Sequence, residues 1–524
     1  MENDTTTQPP GIPDTIDGMK AAMEEQIQRE RSLVNLEAPA PPAPPAPPTA
    51  QQIEGAVRDN EDGDARLFAQ LNQGRWVRDH SLDRWYRFSG HIWEQDRICQ
   101  VVADVATVID CYLREAERLA QAAKEEGRTY YQSLAEDMVG RARKLQTLPR
   151  KKKVLELASA GAGSLGIDGS RWDAEPYLLG CPNGVIDLRT GDMRPGRPDE
   201  YIKTACPTLW EGLDAPRPTW EFFLDDVFNH DTELISYLQR LLGYAITGTS
   251  TEDILPILQG KGRNGKSTLL ETLHHVMGEL SGPIDSEMLL DQYSSRSSAG
   301  PSPDIIDLRG RRIVWASETE DGRRLNSSKV KWLTGEEILK GRALHSDLVE
   351  FRKTHTLFLL TNALPHAPGN DYALWRRIHL IPFKFSYVDD PMTPDEKKAD
   401  KTLGGRLKEE ASGILAWMVE GCLRWQEKGL APPDAVTKET EKYQRDEDTI
   451  GRFLEEVCIK NPNGVVKAGV LFHAYRDWCQ GEGIKYMNGT RFGKEMKRRL
   501  DYEDGRNVLY LGITLPEEDS QAGD

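Results

Sequence analysis

Residues 254–273, Ile-Leu-Pro-Ile-Leu-Gln-Gly-Lys-Gly-Arg-Asn-Gly-Lys-Ser-Thr-Leu-Leu-Glu-Thr-Leu, lead an apolar run into a glycine-rich loop and then into helical spacing. The pattern predicts a strand, a phosphate loop and a helix. Gly260 and Gly265, followed by Lys266 and Ser267, satisfy G-x-x-x-x-G-K-[ST], the Walker A pattern. Glycines let backbone N–H groups close around a polyphosphate where a Cβ would block the approach. A lysine there sets a point charge between the terminal phosphates, and the Ser267 hydroxyl suits the magnesium ion that bridges them. The following helix turns its positive dipole end toward the same anion. Gly260, Gly262, Asn264, Gly265, Lys266, Ser267 and Thr268 are therefore the candidate ATP contacts, and the chain reads as a nucleoside triphosphatase.

The rest of the chain bounds that reading. A length of 524 residues with 38% hydrophobic content suggests about three domains. No apolar stretch approaches the roughly 18 residues that span a bilayer, and Met-Glu-Asn-Asp-Thr does not open a signal peptide, so the expectation is a soluble protein of the host-cell cytoplasm with no membrane partner. Cys99, Cys111, Cys181, Cys206, Cys422, Cys458 and Cys479 show no C-x-x-C spacing, which argues against zinc ribbons and disulfide frameworks. The net charge of −17 counts against a uniformly basic nucleic-acid binder. Acidic residues gather at both termini, however, which leaves room for a local basic channel.

In chain order, residues 1–62 read as a disordered tether with one helical candidate near Asp17–Leu36 and a proline-rich run from Ala38 to Pro48. Arg75-Trp76-Val77-Arg78 and Arg84-Trp85-Tyr86-Arg87-Phe88 alternate in β fashion, either as a base-stacking platform or as a half-buried sheet with cationic edges. Asp96–Lys144 has helical spacing broken at Gly127 and runs on to a basic cluster at Arg150–Lys153. Thr190-Gly191-Asp192 marks a hairpin turn, and residues 219–246 form amphipathic helices.

Beyond the phosphate loop, Arg311–Glu320 reads as an apolar strand ending in Glu318, the acid that would hold the magnesium shell or orient the attacking water. Thr356–Asn362 is a third strand, ending in an amide placed to sense the terminal phosphate. Arg376 and Arg377 are candidates for an arginine finger reaching into a neighbouring subunit. Near the C-terminus, three helical periods and a strand at Val508–Ile513 read as a winged helix whose third helix carries Arg491, Lys494, Lys497, Arg498 and Arg499.

The order Gly-Arg-Asn-Gly-Lys-Ser-Thr, Ala-Ser-Glu-Thr-Glu, Lys331-Trp332-Leu333-Thr334-Gly335-Glu336 with Arg342, Leu-Thr-Asn362 and Leu374-Trp375-Arg376-Arg377-Ile378 resembles the superfamily 3 helicases, in particular their phage/plasmid primase and poxvirus-type primase–helicase branch. The resemblance covers about 85% of the chain, upstream through Asn183–Arg189 and Leu241–Tyr244 and downstream through 440–513. It implies a multidomain α/β protein: tether 1–62, mixed and mainly helical domain 63–215, AAA+-like P-loop ATPase core 216–430, winged helix 431–515 and acidic tail 516–524.

The same resemblance implies a ring, usually hexameric in the family, that hydrolyses ATP with Mg2+ and moves 3′→5′ on single-stranded or forked DNA in the replication of a phage, prophage or plasmid-type element. By correspondence Lys266 and Ser267 bind phosphate and metal, Glu318 is the second-motif acid, Asn362 the sensor, and Arg377 or Arg376 the finger. Lys331, Lys340, Arg342, His345 and Lys353 fall in the segment that forms a pore hairpin in this superfamily. Many members carry two adjacent acids in the second motif; here Ser317 precedes Glu318, and Glu320 is the candidate for sharing its work. No Asp-x-Asp strand with a following histidine is present, so priming is expected to fall to a separate primase or polymerase. Two other functions stay open at this point: an ATP-switched origin-binding or loading factor with little unwinding, and a regulatory or defence triphosphatase indifferent to DNA.

Overall fold

The structure is a computed structural model that describes residues 46–291, 302–317, 322–342, 348–505 and 507–516. The helical candidate at Asp17–Leu36, most of the proline-rich run and residues 517–524 of the tail lie outside these.

Order begins earlier than the sequence suggests. Helix α1 (Ala50–Arg58) opens on a capping box in which the Thr49 hydroxyl accepts from the Gln52 N–H and the Gln52 side chain accepts from the Thr49 N–H. Ile53 and Ala56 are buried on it. The tether boundary at residue 62 is thereby corrected: 50–62 is helical and packed. Helix α2 (Asn60–Asn72) follows, then strands β1 (Trp76–Asp79), β2 (Arg84–Phe88) and β3 (Trp93–Gln95). Helices α3 (Ala106–Glu126) and α4 (Thr129–Leu145) break at Gly127, a left-handed C-cap, and α5 (Leu148–Ala158) and β4 (Gly166–Ile167) complete the unit. Its sheet runs β3-β2-β1-β4. Trp76 and Trp93 are buried in it, so these two tryptophans belong to a core and not to a stacking platform. Arg150, from the basic cluster, turns inward to Glu61 at 2.5 Å and Asp64 at 2.6 Å.

The next antiparallel sheet, β5 (Leu178–Cys181), β6 (Gly184–Asp187) and β7 (Asp192–Arg194), does not share that core. Leu179, Cys181, Ile186, Leu188, Cys206 and Trp210 pack with α6 (Pro218–Val227), α7 (Thr232–Ala245) and residues of the following domain. The expected boundary at 215 therefore falls inside a continuous apolar cluster.

The central sheet contains β8 (Leu255–Gln259), β9 (Ser281–Ile284), β10 (Ile313–Ser317), β13 (Thr356–Thr361) and β14 (Ile378–Pro382), in the order β14-β8-β13-β10-β9 with every pairing parallel. Its strands are nearly continuous apolar runs because both faces are covered. Ile313, Trp315, Phe358 and Leu360 face the cluster containing α7 and α10 (Ala411–Lys428), while Val314, Ala316, Leu357 and Leu359 face the opposite one. Helix α8 (Lys266–Met277) follows β8 directly. Helix α9 (Ser327–Gly335) leads into an antiparallel hairpin, β11 (Ile338–Arg342) with β12 (Leu348–Arg352), which pairs outside the main sheet.

The C-terminal unit has its own core of Phe453, Leu471, Tyr475, Phe492, Met496 and Tyr510. It contains α11 (Thr449–Glu456), α12 (Ala468–Gly481) and α13 (Gly489–Arg499), with strands β15 (Ile459–Lys467), β16 (Tyr502–Glu503) and β17 (Leu509–Thr514) in the order β15-β17-β16. Sequence patterning does not mark β15, whose Asn461-Pro462-Asn463-Gly464 reads as a turn.

Candidate functional site

A cleft of about 360 Å³ opens at the C-terminal ends of β8, β10 and β13, where an open parallel sheet places its ligands. Gly262, Arg263, Asn264, Lys266, Ser267, Ser317, Thr361 and Asn362 are among its lining residues. Because β13 lies between β8 and β10, Asn362 stands between the loop and the strand that runs toward Glu318. Glu318 itself, with Glu320, lies outside the described residues.

The loop has the shape of an anion cradle. Gly262 and Gly265 adopt φ of +105° and +88°, and Arg263 between them adopts +48°. A Cβ on Gly260 would lie 2.1 Å from Asn264 Nδ2 and 2.3 Å from the Phe383 carbonyl oxygen, so only glycine fits there. No side chain caps the N-terminus of α8, whose first N–H groups therefore stay open to a ligand. The buried Asn264 Nδ2 has no hydrogen-bond partner among the described residues. A buried donor without an acceptor is costly, and a phosphate oxygen would satisfy it.

Lys266 is 6% exposed. Its ammonium donates to the Gly260 carbonyl at 2.6 Å and to Asn362 Oδ1 at 3.2 Å. Burial pulls it down to about 8. These residues fit a triphosphate. Ser267, exposed at the start of α8, fits a magnesium ion bridging its oxygens, and Thr268 follows it, half-buried on the same turn.

The two finger candidates part company. Arg377 is buried: its guanidinium donates to Asp253 at 3.0 Å, to the Ala373 carbonyl at 2.7 Å and to Thr334 Oγ1 at 3.2 Å. A side chain so engaged within its own subunit does not reach a neighbour, which corrects the expectation for Arg377. Arg376 has its side chain 56% exposed and, among the described residues, pairs with Asp253 at 3.5 Å.

The predicted DNA-contacting residues divide as well. Lys340 projects from the hairpin and pairs across it with Glu350 at 2.6 Å, an exposed ion pair of the kind worth at most about 1 kcal/mol. Arg342 is exposed at the end of β11. Lys331, on α9, pairs with Asp371 at 3.0 Å. His345 lies outside the described residues. Lys353 is 2% exposed, donates to the Thr334 carbonyl and is pulled down to about 8 by burial, so its expected place on the DNA is corrected to an internal one. On α13, Arg491 and Lys494 are exposed and carry no ion pair among the described residues. Lys497 pairs with Asp504 at 2.6 Å, Arg498 with Glu495 at 3.0 Å, and Arg499 anchors to Asp448 at 2.7 Å. Asp253, which serves both arginines, carried no sequence signal beyond its place in a Glu-Asp pair ahead of a strand.

Two family models match the chain: one described as D5 N terminal like, over residues 65–229, and one described as Poxvirus D5 protein-like, over residues 445–506. A protein of Acanthamoeba polyphaga mimivirus named "Putative helicase" is 29% identical over 370 residues, covering 67% of this chain and 38% of its own length. A frog virus 3 protein of the same name is 25% identical over 381 residues, 58% of this chain and 39% of the relative. An African swine fever virus protein named "Putative primase" is 24% identical over 323 residues, 58% of this chain and 33% of the relative. The chain thus spans well under half the length of these relatives. The apo structure of the NrS-1 C terminal region aligns with a TM-score of 0.43 at 12% identity, covering 86% of this chain and all of that one. No helix among the described residues is long and apolar enough to cross a membrane.

Proposed function

We propose that this chain, whose matches are consistent with the D5-type branch of superfamily 3 helicases, is the ATP-driven motor of a DNA helicase. The observation that carries the reading is the cradle itself: Lys266 held between the Gly260 carbonyl and Asn362, beside the unpartnered donor of Asn264.

Lys266 and the loop N–H groups bind the β- and γ-phosphates of ATP. Ser267 and the Glu318 carboxylate would hold a magnesium ion, which would supply charge neutralisation on the phosphates. Asn362, already hydrogen-bonded to Lys266, exchanges that bond for the γ-phosphate or the attacking water and so reports which is present. Arg376 serves as the finger in the ring, because it is the exposed member of the pair. Lys340, Arg342 and His345 on the hairpin grip the backbone of a single strand, and Arg491 and Lys494 contact duplex at the fork through the C-terminal unit, read as a winged helix. Assembly as an AAA+-like hexamer, 3′→5′ movement and service to a phage, prophage or plasmid-type element belong to the same reading.

The test is steady-state ATP hydrolysis by the full chain with and without single-stranded DNA, beside Lys266→Ala, followed by unwinding of a tailed duplex. The expected result is hydrolysis stimulated by DNA, coupled to unwinding and abolished in Lys266→Ala. Stimulation without unwinding would replace the motor with a loading factor. Turnover indifferent to DNA would replace it with a regulatory triphosphatase.

A further inference from the structure

A cluster of charged groups sits at the end of the central sheet opposite the phosphate loop. Asp253 precedes β8, Lys353 precedes β13, Arg376 and Arg377 precede β14, and Thr334 and Gly335 end α9. The Asp253 carboxylate accepts from Arg377 at 3.0 Å and faces Arg376 at 3.5 Å. Arg377 Nε donates to Thr334 Oγ1 at 3.2 Å, and the Lys353 ammonium donates to the Thr334 carbonyl. The Lys353 N–H donates to the Glu337 carbonyl at 2.8 Å.

These contacts bracket the hairpin. Its entry at Thr334 is tied to Arg377, its exit at Lys353 is tied to the Thr334 and Glu337 carbonyls, Arg377 is tied to Asp253, and Asp253 is the sole ion-pair partner of Arg376 among the described residues. The approach is close enough to specify Gly335: a Cβ there would lie 2.7 Å from Arg377 Nη2. Thr334 and Lys353 are each 2% exposed, so the tie is shielded from water and transmits displacement as packed interiors do.

We propose that Asp253 is a positioning residue that couples the nucleotide bound by the adjacent subunit to the DNA-gripping hairpin of its own subunit. The proposal rests on the reading above, in which Arg376 is the finger. When Arg376 swings to a γ-phosphate across the subunit boundary it leaves Asp253, and the carboxylate is left to Arg377 alone. Arg377 then shifts against Thr334, and the base of β11 and β12 moves with it. Release of phosphate returns Arg376 to Asp253 and resets the hairpin. Asp253 contacts neither ATP nor DNA in this scheme. Its effect lies in the link between them.

The test uses the full chain carrying Asp253→Asn, Asp253→Glu or Thr334→Val, and reads KM for ATP, turnover with and without single-stranded DNA, and base pairs opened per ATP. For Asp253→Asn, KM stays within about twofold, while the DNA-stimulated increase in turnover falls about 5-fold or more, the lower range of an allosteric coupling. Asp253→Glu restores part of it. Asp253→Asn stimulated like the wild type overturns the proposal. Should Asp253→Asn fail to fold, Thr334→Val decides, since it keeps side-chain shape while removing the acceptor of Arg377: normal stimulation in that variant overturns the proposal equally. Arg376→Ala is measured in parallel. Wild-type turnover there would refute the finger reading, a failure separate from that of the coupling.

Discussion

If the loop binds ATP as proposed, the protonation state of Lys266 should make nucleotide affinity depend on pH. Its ammonium is pulled down to about 8 by burial, and its hydrogen-bond partners among the described residues are two neutral oxygens, the Gly260 carbonyl and Asn362 Oδ1. A bound triphosphate supplies opposite charge and raises the value again. The bound state therefore holds more protons than the free state, so affinity is fully present below about 8 and is lost as pH rises through and above it. With a free-state value of about 8, the protonated fraction drops from ~0.9 at pH 7 to ~0.1 at pH 9, so Kd should rise about 10-fold, or about 1.4 kcal/mol. The assay is titration of a slowly hydrolysed ATP analogue with magnesium between pH 7 and 9, with proton uptake read calorimetrically in buffers of different ionisation enthalpy. Arg263 and Glu271 also line the cleft, so Lys266→Arg isolates the lysine's share: its guanidinium stays charged throughout and its Kd should be flat. A wild-type Kd that is flat from pH 7 to 9, or an equal slope in Lys266→Arg, would refute the argument.

Arg376→Ala should cut turnover by about 10³-fold, as removal of a finger does, while equilibrium binding of ATP survives; Arg377→Ala should instead lower stability by about 1–3 kcal/mol, because it removes the buried donor to the Ala373 carbonyl and Thr334 Oγ1 while Asp253 keeps Arg376. His355 is buried with neither ring nitrogen hydrogen-bonded to a described residue, and burial pulls it down to about 3, so the unfolded chain takes up a proton there that the folded chain refuses. Stability should be complete above the ordinary histidine value and fall by up to about 1.4 kcal/mol per pH unit as pH drops from ~6.5 toward 3, with His355→Phe removing that part of the slope in denaturant melts. Lys494→Ala should weaken binding to forked DNA for every sequence alike and reduce the slope of log K against log salt by about 0.9, whereas Lys497→Ala, whose ammonium is held by Asp504, should change it less.

Much of this was legible in the chain because it is local. The glycine loop, its lysine and the apolar strands beside it follow from residue types at fixed spacing, and the Gly127 break and the Thr190–Asp192 turn follow from backbone preference. The capping box of Thr49 and Gln52 was legible in principle but hidden behind the proline run. What no local pattern carries is pairing across distance. That β13 enters between β8 and β10, bringing Asn362 to Lys266 across 96 residues, is decided by how the parallel strands assemble. That Arg377 faces inward and Arg376 outward, although the two are adjacent and identical in kind, is decided by Asp253 lying 124 residues away. Lys353 looks in sequence like any cation on a basic hairpin, and only the packing of Thr334 over it removes it from water. Sequence alone thus determined which functional side chains are gathered in the glycine loop, since a loop's residues are contiguous in the chain. Tertiary structure decided which charges are free to use it, since burial and ion pairing depend on neighbours that the chain brings together only when folded.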